Sequence, residues 1–178
     1  MIIENLQEWI AYVISAHQNY AKSPMKAMRR WDGQTPYSIH SIWCAMTILT
    51  EEKLSQHIRV LGCKILLLHD VPEDTIRELP DWIDNEEREL LQEMLYEDSA
   101  DERLNLWGKS DLAKLFKLYD KVSNLLDSSW MLKERGHEYY NETLNHASKL
   151  VEFVEGKFGE LNIVIMAKTI ISERRRLL

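Results

Sequence analysis

Leu66-Leu67-Leu68-His69-Asp70-Val71-Pro72-Glu73-Asp74-Thr75 joins the end of an apolar run to a proline and four titratable side chains within six positions. Pro72 has no backbone donor and restricts Val71, so the helix read over about Ser55 to His69 should end near His69-Asp70, with Val71 pushed out of the helical region. Two ligand-type side chains then sit at a helix end. Dragging four such groups into an interior without partners is costly, and something must compensate them. A divalent cation would do so, with the adjacent imidazole and carboxylate as ligands and Glu73 and Asp74 just beyond placed to orient a water. Taken alone, His-Asp is a common dipeptide, and a solvated acidic helix end is the preferred account of it.

Outward from this stretch the chain reads as helices. Leu6, Trp9, Ile10, Val13, Ile14 and His17 recur at three- and four-residue steps and predict a first helix with one buried face. The polar, basic stretch Lys22 to Pro36 reads as a loop or short irregular helix, and a second helix follows over about Ser38 to Leu49. Thr75-Ile76-Arg77-Glu78 has the form of a capping box and predicts a short helical turn ended by Pro80. Further helices are predicted at Asp81 to Tyr96, Asp111 to Leu132, Glu138 to Lys157 and Leu161 to Arg175. Apolar positions rarely alternate with period two and no strand-flanked Asn-Gly or Asp-Gly turn occurs, so no strand competes. The expectation is all-α, one compact helical domain spanning residues 1–178.

The 178 residues are 45% hydrophobic and 29% charged, an ordinary globular composition rather than a disordered or membrane one. With 22 basic and 29 acidic residues the formal charge is -7, which would repel a nucleic-acid backbone. No nucleic-acid partner is expected. Cys44 and Cys63 lie in apolar segments without metal-type spacing and read as reduced core residues. The start, Met1 to Asn5, lacks a basic region followed by an apolar one, and the longest apolar runs are far short of a membrane span. The expected location is the cytoplasm, with no membrane partner. The sequence leaves the oligomeric state open.

Two more segments weigh on the reading of His69-Asp70. Thr35-Pro36-Tyr37-Ser38-Ile39-His40 places a histidine in the first turn of a helix whose next residues are largely apolar, so His40 should face inward; a core histidine bonded to backbone is the plainer account. In Lys117-Leu118-Tyr119-Asp120-Lys121-Val122-Ser123-Asn124-Leu125-Leu126, Asp120 and Asn124 share a helix face beside an apolar stripe. Their plainer account is a solvated flank with local ion pairs to Lys117 and Lys121.

Together, His40, His69-Asp70 and Asp120 in a Lys-x-x-Asp-x-x-x-Asn context resemble the metal set of the HD-domain phosphohydrolases. Gly-x-x-Pro-Tyr-x-x-His, His-Asp-x-x-Glu-Asp-Thr and Lys-x-x-Asp-x-x-x-Asn resemble, more narrowly, the hydrolase domain of the RelA/SpoT homologues and the small alarmone hydrolases, over about Ala16 to Leu126. The resemblance implies an all-helical HD-domain bundle and one manganese ion, or another divalent transition metal, held by His40, His69, Asp70 and Asp120. It implies a small-molecule nucleotide substrate, with the 3'-pyrophosphate of guanosine tetra- or pentaphosphate removed by attack of metal-bound hydroxide. Glu73 and Asp74 would position and activate the water, and Asn124 would contact the nucleotide sugar. Where the family usually has a proline after the first histidine this chain has Ser41. Its stretch between Ala16-His17 and Thr35-Pro36 is longer than the family's short basic loop. Arg29 and Arg30 are the nearer counterpart of that loop and Lys22 the second, with Arg30 the foremost contact for base or phosphate. The rival readings are an HD-domain nucleotidase acting on another nucleotide and a non-catalytic nucleotide-binding module.

Among the remaining motifs, Trp9, Trp43, Trp82, Trp107 and Trp130 read as core packing, while Trp31 in the basic loop is placed to touch a ligand. His57, His137 and His146 match no motif. Arg174-Arg175-Arg176 closes the last helix, where cations complement the dipole.

Overall fold

The computed structural model describes residues 4–178. Residues 1–3, on which part of the reading of the chain's start falls, lie outside them. Among the described residues ten α-helices follow in chain order: α1 (Leu6–Asn19), α2 (Pro24–Ala27), α3 (Ser38–Leu49), α4 (Gln56–Leu68), α5 (Val71–Asp74), α6 (Asn85–Glu93), α7 (Ser99–Asn105), α8 (Asp111–Leu126), α9 (Ser129–Phe158) and α10 (Asn162–Arg175). Among the described residues there is no strand, only the isolated bridges Ala21 to Thr75 and Met28 to Pro36. The all-α expectation holds. No helix of the described residues is long and apolar enough to cross a membrane.

The site is positioned by α3, α4 and α8, which pack against one another along apolar faces. Ile48 from α3, Leu61, Ile65 and Leu66 from α4, and Phe116, Leu118 and Val122 from α8 are all buried. Gly62 lets α4 come close: a methyl group there would stand 2.7 Å from Phe116 Cε1 and closer still to Ile48 Cδ1. Gly62→Ala is therefore expected to overpack this junction and cost about 1–3 kcal/mol of stability in a denaturant titration. An unchanged midpoint would show that Ile48 and Phe116 simply swing away. Cys44 and Cys63 are buried and unpaired, as read from the sequence.

Local capping fixes where the helices begin. Ser55 Oγ accepts from Ile58 N at the start of α4, and Ser110 Oγ from Ala113 N at the start of α8. Glu51, buried after α3, accepts from the Asn162 and Ile163 amides and from the Tyr119 hydroxyl, so one carboxylate caps α10 and ties it to α8. Arg174 in the last turn of α10 donates to the carbonyls of Leu125 and Leu126 at the end of α8, binding a neighbour's orphan acceptors as well as closing its own helix.

Several elements differ from the sequence reading. α4 stops at Leu68, but Val71 is helical. Proline is tolerated in the first turn of a helix, where its missing donor would be unpaired anyway, so α5 restarts at once with Pro72 inside its first turn. The capping box predicted at Thr75 to Glu78 does not form. Thr75 Oγ1 donates to the Val71 carbonyl and accepts from Arg77 N, while Ile76 N donates to Tyr20 O and pins the chain extended. The box that forms is Asp84 with Glu87, and it shortens the helix expected at Asp81 to Tyr96 to α6. A separate α7 occupies part of a stretch that carried no prediction. The helix expected to run to Leu132 ends at Leu126. Buried Ser128 turns back to the Leu125 carbonyl and to the Tyr140 hydroxyl, and α9 begins at Ser129 with a break at Gly136 (φ 83°, ψ 174°).

Of the tryptophans assigned to the core, Trp9 is buried and Trp43 and Trp130 are partly so. Trp82 and Trp107 are exposed. Without the expected helix at Asp81, Trp82 lies edge-on over Trp9 and Tyr12 at the rim of the core, with centroids 6.3 and 5.6 Å away. Trp107 meets His146 and Phe153 in the same manner.

Candidate metal centre

His40 projects from the first turn of α3, His69 caps α4, Asp70 follows it, and Asp120 comes from the middle of α8. All four are buried. His40 Nε2 stands 3.3 Å from Asp70 Oδ2 and 3.2 Å from Asp120 Oδ1; His69 Nε2 stands 3.1 and 3.8 Å from the same two oxygens. One ligand-type atom each from His40, His69 and Asp120 falls within 4.8 Å of the others. The rings are oriented from behind: His69 Nδ1 lies 2.8 Å from the Leu66 carbonyl and His40 Nδ1 2.8 Å from Ser123 Oγ. A carbonyl only accepts, so His69 Nδ1 carries a proton and Nε2 turns toward the carboxylates.

The fit to a cation is visible in what lacks a partner. His40 Nε2, His69 Nε2 and Asp70 Oδ2 are buried and make no well-formed hydrogen bond. Three converging orphan atoms of the types that bind borderline metals are a donor set for a divalent ion. The proton balance agrees. Burial works against charge on His69, but Asp70 and then Asp120 override it and raise this imidazole to about 9, whereas burial leaves His40 lowered. Burial alone would raise Asp70 and Asp120. The histidines hold Asp70 down, and Lys121 and Lys117 hold Asp120 well below the carboxylate range. Two ionised carboxylates therefore face the histidine nitrogens, a field that favours positive charge between them.

Behind Asp120 lies a charge network in place of the solvated flank that was the plainer account of Asp120 and Asn124. Lys117 is 3% exposed, and its ammonium lies 3.2 Å from Asp120 Oδ2 and 3.5 Å from Glu102 Oε2. Lys121 reaches the same two oxygens at 3.4 and 2.6 Å, and His146 Nε2 lies 3.1 Å from Glu102 Oε1. The Lys117 and Lys121 spacing around Asp120 was visible in the sequence; Glu102 from α7 had no signal at all. Burial pushes Glu102 up, but Lys121 and Lys117 bring it down to about 2. A folded-state pKa below the ordinary 4.5 contributes stability that is present above that pH and is lost as pH falls toward 2. Glu102→Gln should therefore cost about 3 kcal/mol at neutral pH and flatten the loss of stability between about pH 4.5 and 2. Urea unfolding across that range checks it, and parallel curves for the two chains would contradict it.

Glu73 and Asp74 occupy α5, one turn beyond Asp70, and their environments differ. The Glu73 side chain is 39% exposed and lines a polar cavity of about 130 Å³ with Asp70, Asp120, Lys117, Lys121 and Asn124. Burial, then the Asp70 charge, raises Glu73 to about 7 and Asp74 to about 6. The Asp74 side chain is 1% exposed and pairs with the Lys26 ammonium.

A second cavity, of about 410 Å³, opens beside His40 and is lined mainly by Trp31, Ile39, Trp43, Leu126, Arg29 and Asp127. Arg29 is buried: Nε and Nη2 donate to the Asp127 carboxylate at 2.9 and 3.0 Å, Nη2 donates to Asn124 Oδ1 at 3.2 Å, and the guanidinium covers the Tyr37 ring. Asn124 in turn donates to Asp120 Oδ1 at 2.6 Å, so Arg29, Asn124 and Asp120 form one chain of contacts. Arg30 points elsewhere, over Trp130 and 3.6 Å from Glu134, and lines neither cavity. Lys22 donates to the Pro72 and Glu73 carbonyls at 3.0 and 2.7 Å. The structure thus brings His40, His69, Asp70, Asp120, Glu73, Asn124 and Arg29 around one centre, sets Lys22 and Asp74 on its flank, and leaves Arg30 apart.

A solved structure described as a metazoan ortholog of SpoT that hydrolyzes ppGpp and plays a role in starvation responses superposes with a TM-score of 0.67. This chain has the SpoT-ortholog fold. The likeness runs over 98% of this chain and 97% of that one at 23% identity. No family model matches the chain, and no curated protein matches it at a significant level. The three motifs that resembled the HD-domain hydrolases thus lie on a chain whose whole fold is that of the SpoT ortholog, with a buried histidine and aspartate group at the place where they meet.

Proposed function

We propose that this protein is a metal-dependent phosphohydrolase that removes the 3'-pyrophosphate of guanosine tetra- or pentaphosphate in the cytoplasm. The observation that carries the reading is the convergence of His40, His69, Asp70 and Asp120 with three orphaned buried ligand atoms. The fold shared with a SpoT ortholog described as hydrolyzing ppGpp supports it. His40, His69, Asp70 and Asp120 would hold the ion, manganese among the divalent transition metals. Such a metal, when bound, lowers the pKa of water toward neutrality and polarises phosphoryl oxygens.

The chain's own groups divide the remaining work. Glu73, facing the cavity with a raised pKa, orients the attacking water and takes its proton. Lys117 and Lys121 hold Asp120 ionised and set two positive charges in the wall of a site that must receive a highly anionic substrate in an acidic protein. Asn124 and Arg29 meet the nucleoside side of the substrate, next to the aromatic cavity where Trp31 and Trp43 offer faces to a base. Arg30 reaches the substrate only by leaving Trp130.

A panel of nucleotides incubated with manganese and the purified chain tests the proposal. Pyrophosphate and GDP from guanosine tetraphosphate are the expected products. Orthophosphate from simple nucleotides would favour an HD-type nucleotidase, and absence of turnover with metal bound would leave a nucleotide-binding module.

A further inference from the structure

The extra length between the first helix and His40 ends on the two acids of α5. Residues 20–27 run alongside the end of that turn. Lys22 N donates to the Asp74 carbonyl at 2.9 Å, Ile76 N donates to the Tyr20 carbonyl at 2.8 Å, and Ala21 bridges Thr75. Lys22 Nζ covers the Pro72 and Glu73 carbonyls, which the end of α5 at Asp74 leaves without helical partners. Pro24 starts the single turn α2, which Lys26 N closes onto Ser23 O, and this turn aims the Lys26 ammonium at Asp74. Lys26 also lies 4.0 Å from Glu73 Oε1. It lines neither the polar cavity nor the aromatic one.

We infer that Lys26 is a positioning residue: its ion pair with buried Asp74 clamps α5 so that Glu73 is held toward the polar cavity. The inference rests on the hydrolase reading for its kinetic arm and on the structure alone for its second arm. Asp74 is nearly inaccessible while Glu73 is partly open, so the two adjacent acids do different work. Asp74 anchors the turn through Lys26, and Glu73 faces the cavity where it acts on the attacking water. A buried carboxylate without its cation would either take a proton or move toward water, and either change rotates the turn that carries Glu73.

The test uses the full chain with manganese and guanosine tetraphosphate, comparing Lys26→Met, Lys26→Arg and Lys26→Met/Asp74→Asn. Small misplacement of a reacting group is enough to cost about 10- to 100-fold, so Lys26→Met should lower kcat by that factor, leave KM within about threefold and keep the manganese stoichiometry. Lys26→Arg should recover most of the loss, and Asp74→Asn should add nothing to Lys26→Met. A rise in KM at unchanged kcat would instead make Lys26 a phosphate contact and overturn the clamp. Amide hydrogen exchange gives the second arm: Asp74 N and Ile76 N should exchange at least about tenfold faster in Lys26→Met and as in the parent in Lys26→Arg. Unchanged exchange overturns the clamp whatever the kinetics show. If the parent turns over no nucleotide, faster exchange in Lys26→Met still establishes the clamp while the hydrolase reading fails.

Discussion

Asp120→Ala is expected to lose bound divalent metal and nucleotide hydrolysis together. Asp120 touches more of the site than any other side chain. Its Oδ1 faces both imidazoles and accepts from Asn124, and its Oδ2 accepts from Lys117 and faces Lys121. Removing a group that only supports a metal ligand typically costs 10- to 100-fold in metal affinity, so removing a ligand should weaken affinity by more than about 100-fold. The two lysine ammonium groups would be left with Glu102 as their one remaining carboxylate among the described contacts. A buried and a partly buried cation sharing one anion should also lower the stability of the apo chain, by an amount on the order of 3 kcal/mol. Metal stoichiometry after dialysis, turnover and a urea titration on one preparation separate these effects. A variant that keeps its metal at parent stoichiometry would remove Asp120 from the ligand set and overturn the four-residue metal centre.

The sequence carried the fold where side-chain periodicity is strong and lost it where single residues decide. α1, α3, α4 and α10 follow from apolar spacing, because one face of each is buried in the core. The end of α8 does not: serine is compatible with a helix, and only the buried bonds of Ser128 to Leu125 and Tyr140 stop it there. Thr75 misled for the opposite reason, since its hydroxyl found partners in Val71 and Arg77 and Tyr20 claimed the next amide. At the site, His40 could be read as inward-facing from the apolar residues after it, and His69-Asp70 as a helix end from Pro72, although α5 restarts at Val71 with that proline in its first turn. The environment of Lys117 could not be read. A lysine is almost never fully buried unless paired, and its second partner, Glu102, arrives from α7, whose approach has no sequence pattern. The same holds for the basic loop. Counting charges placed Arg29 and Arg30 together at the substrate, whereas Asp127 and Asn124 draw in one and Trp130 and Glu134 draw away the other.

Glu73→Gln is expected to keep its metal and lose hydrolysis by about 10²- to 10⁴-fold, the usual range for removing a positioned general base. The substitution preserves shape and hydrogen-bonding length while abolishing the capacity to accept a proton. Glu73 is not within the histidine and aspartate group, so metal stoichiometry should match the parent. Stability offers a control on folding. Burial and then the neighbouring Asp70 charge disfavour ionised Glu73 and raise it to about 7, so its folded-state pKa lies above the ordinary value of 4.5. An acid raised in this way favours folding below its ordinary pKa and opposes it as pH climbs through the window from about 4.5 to 7, where the folded chain must give up the proton. A neutral amide escapes that opposition, so Glu73→Gln should melt no lower than the parent at pH 8, and its stability should depend less on pH across the window. Loss of turnover with retained metal and an undiminished Tm would assign the proton transfer to Glu73. Full activity in this variant would return Glu73 to a solvated helix end, and Asp74 would then be the acid to test next.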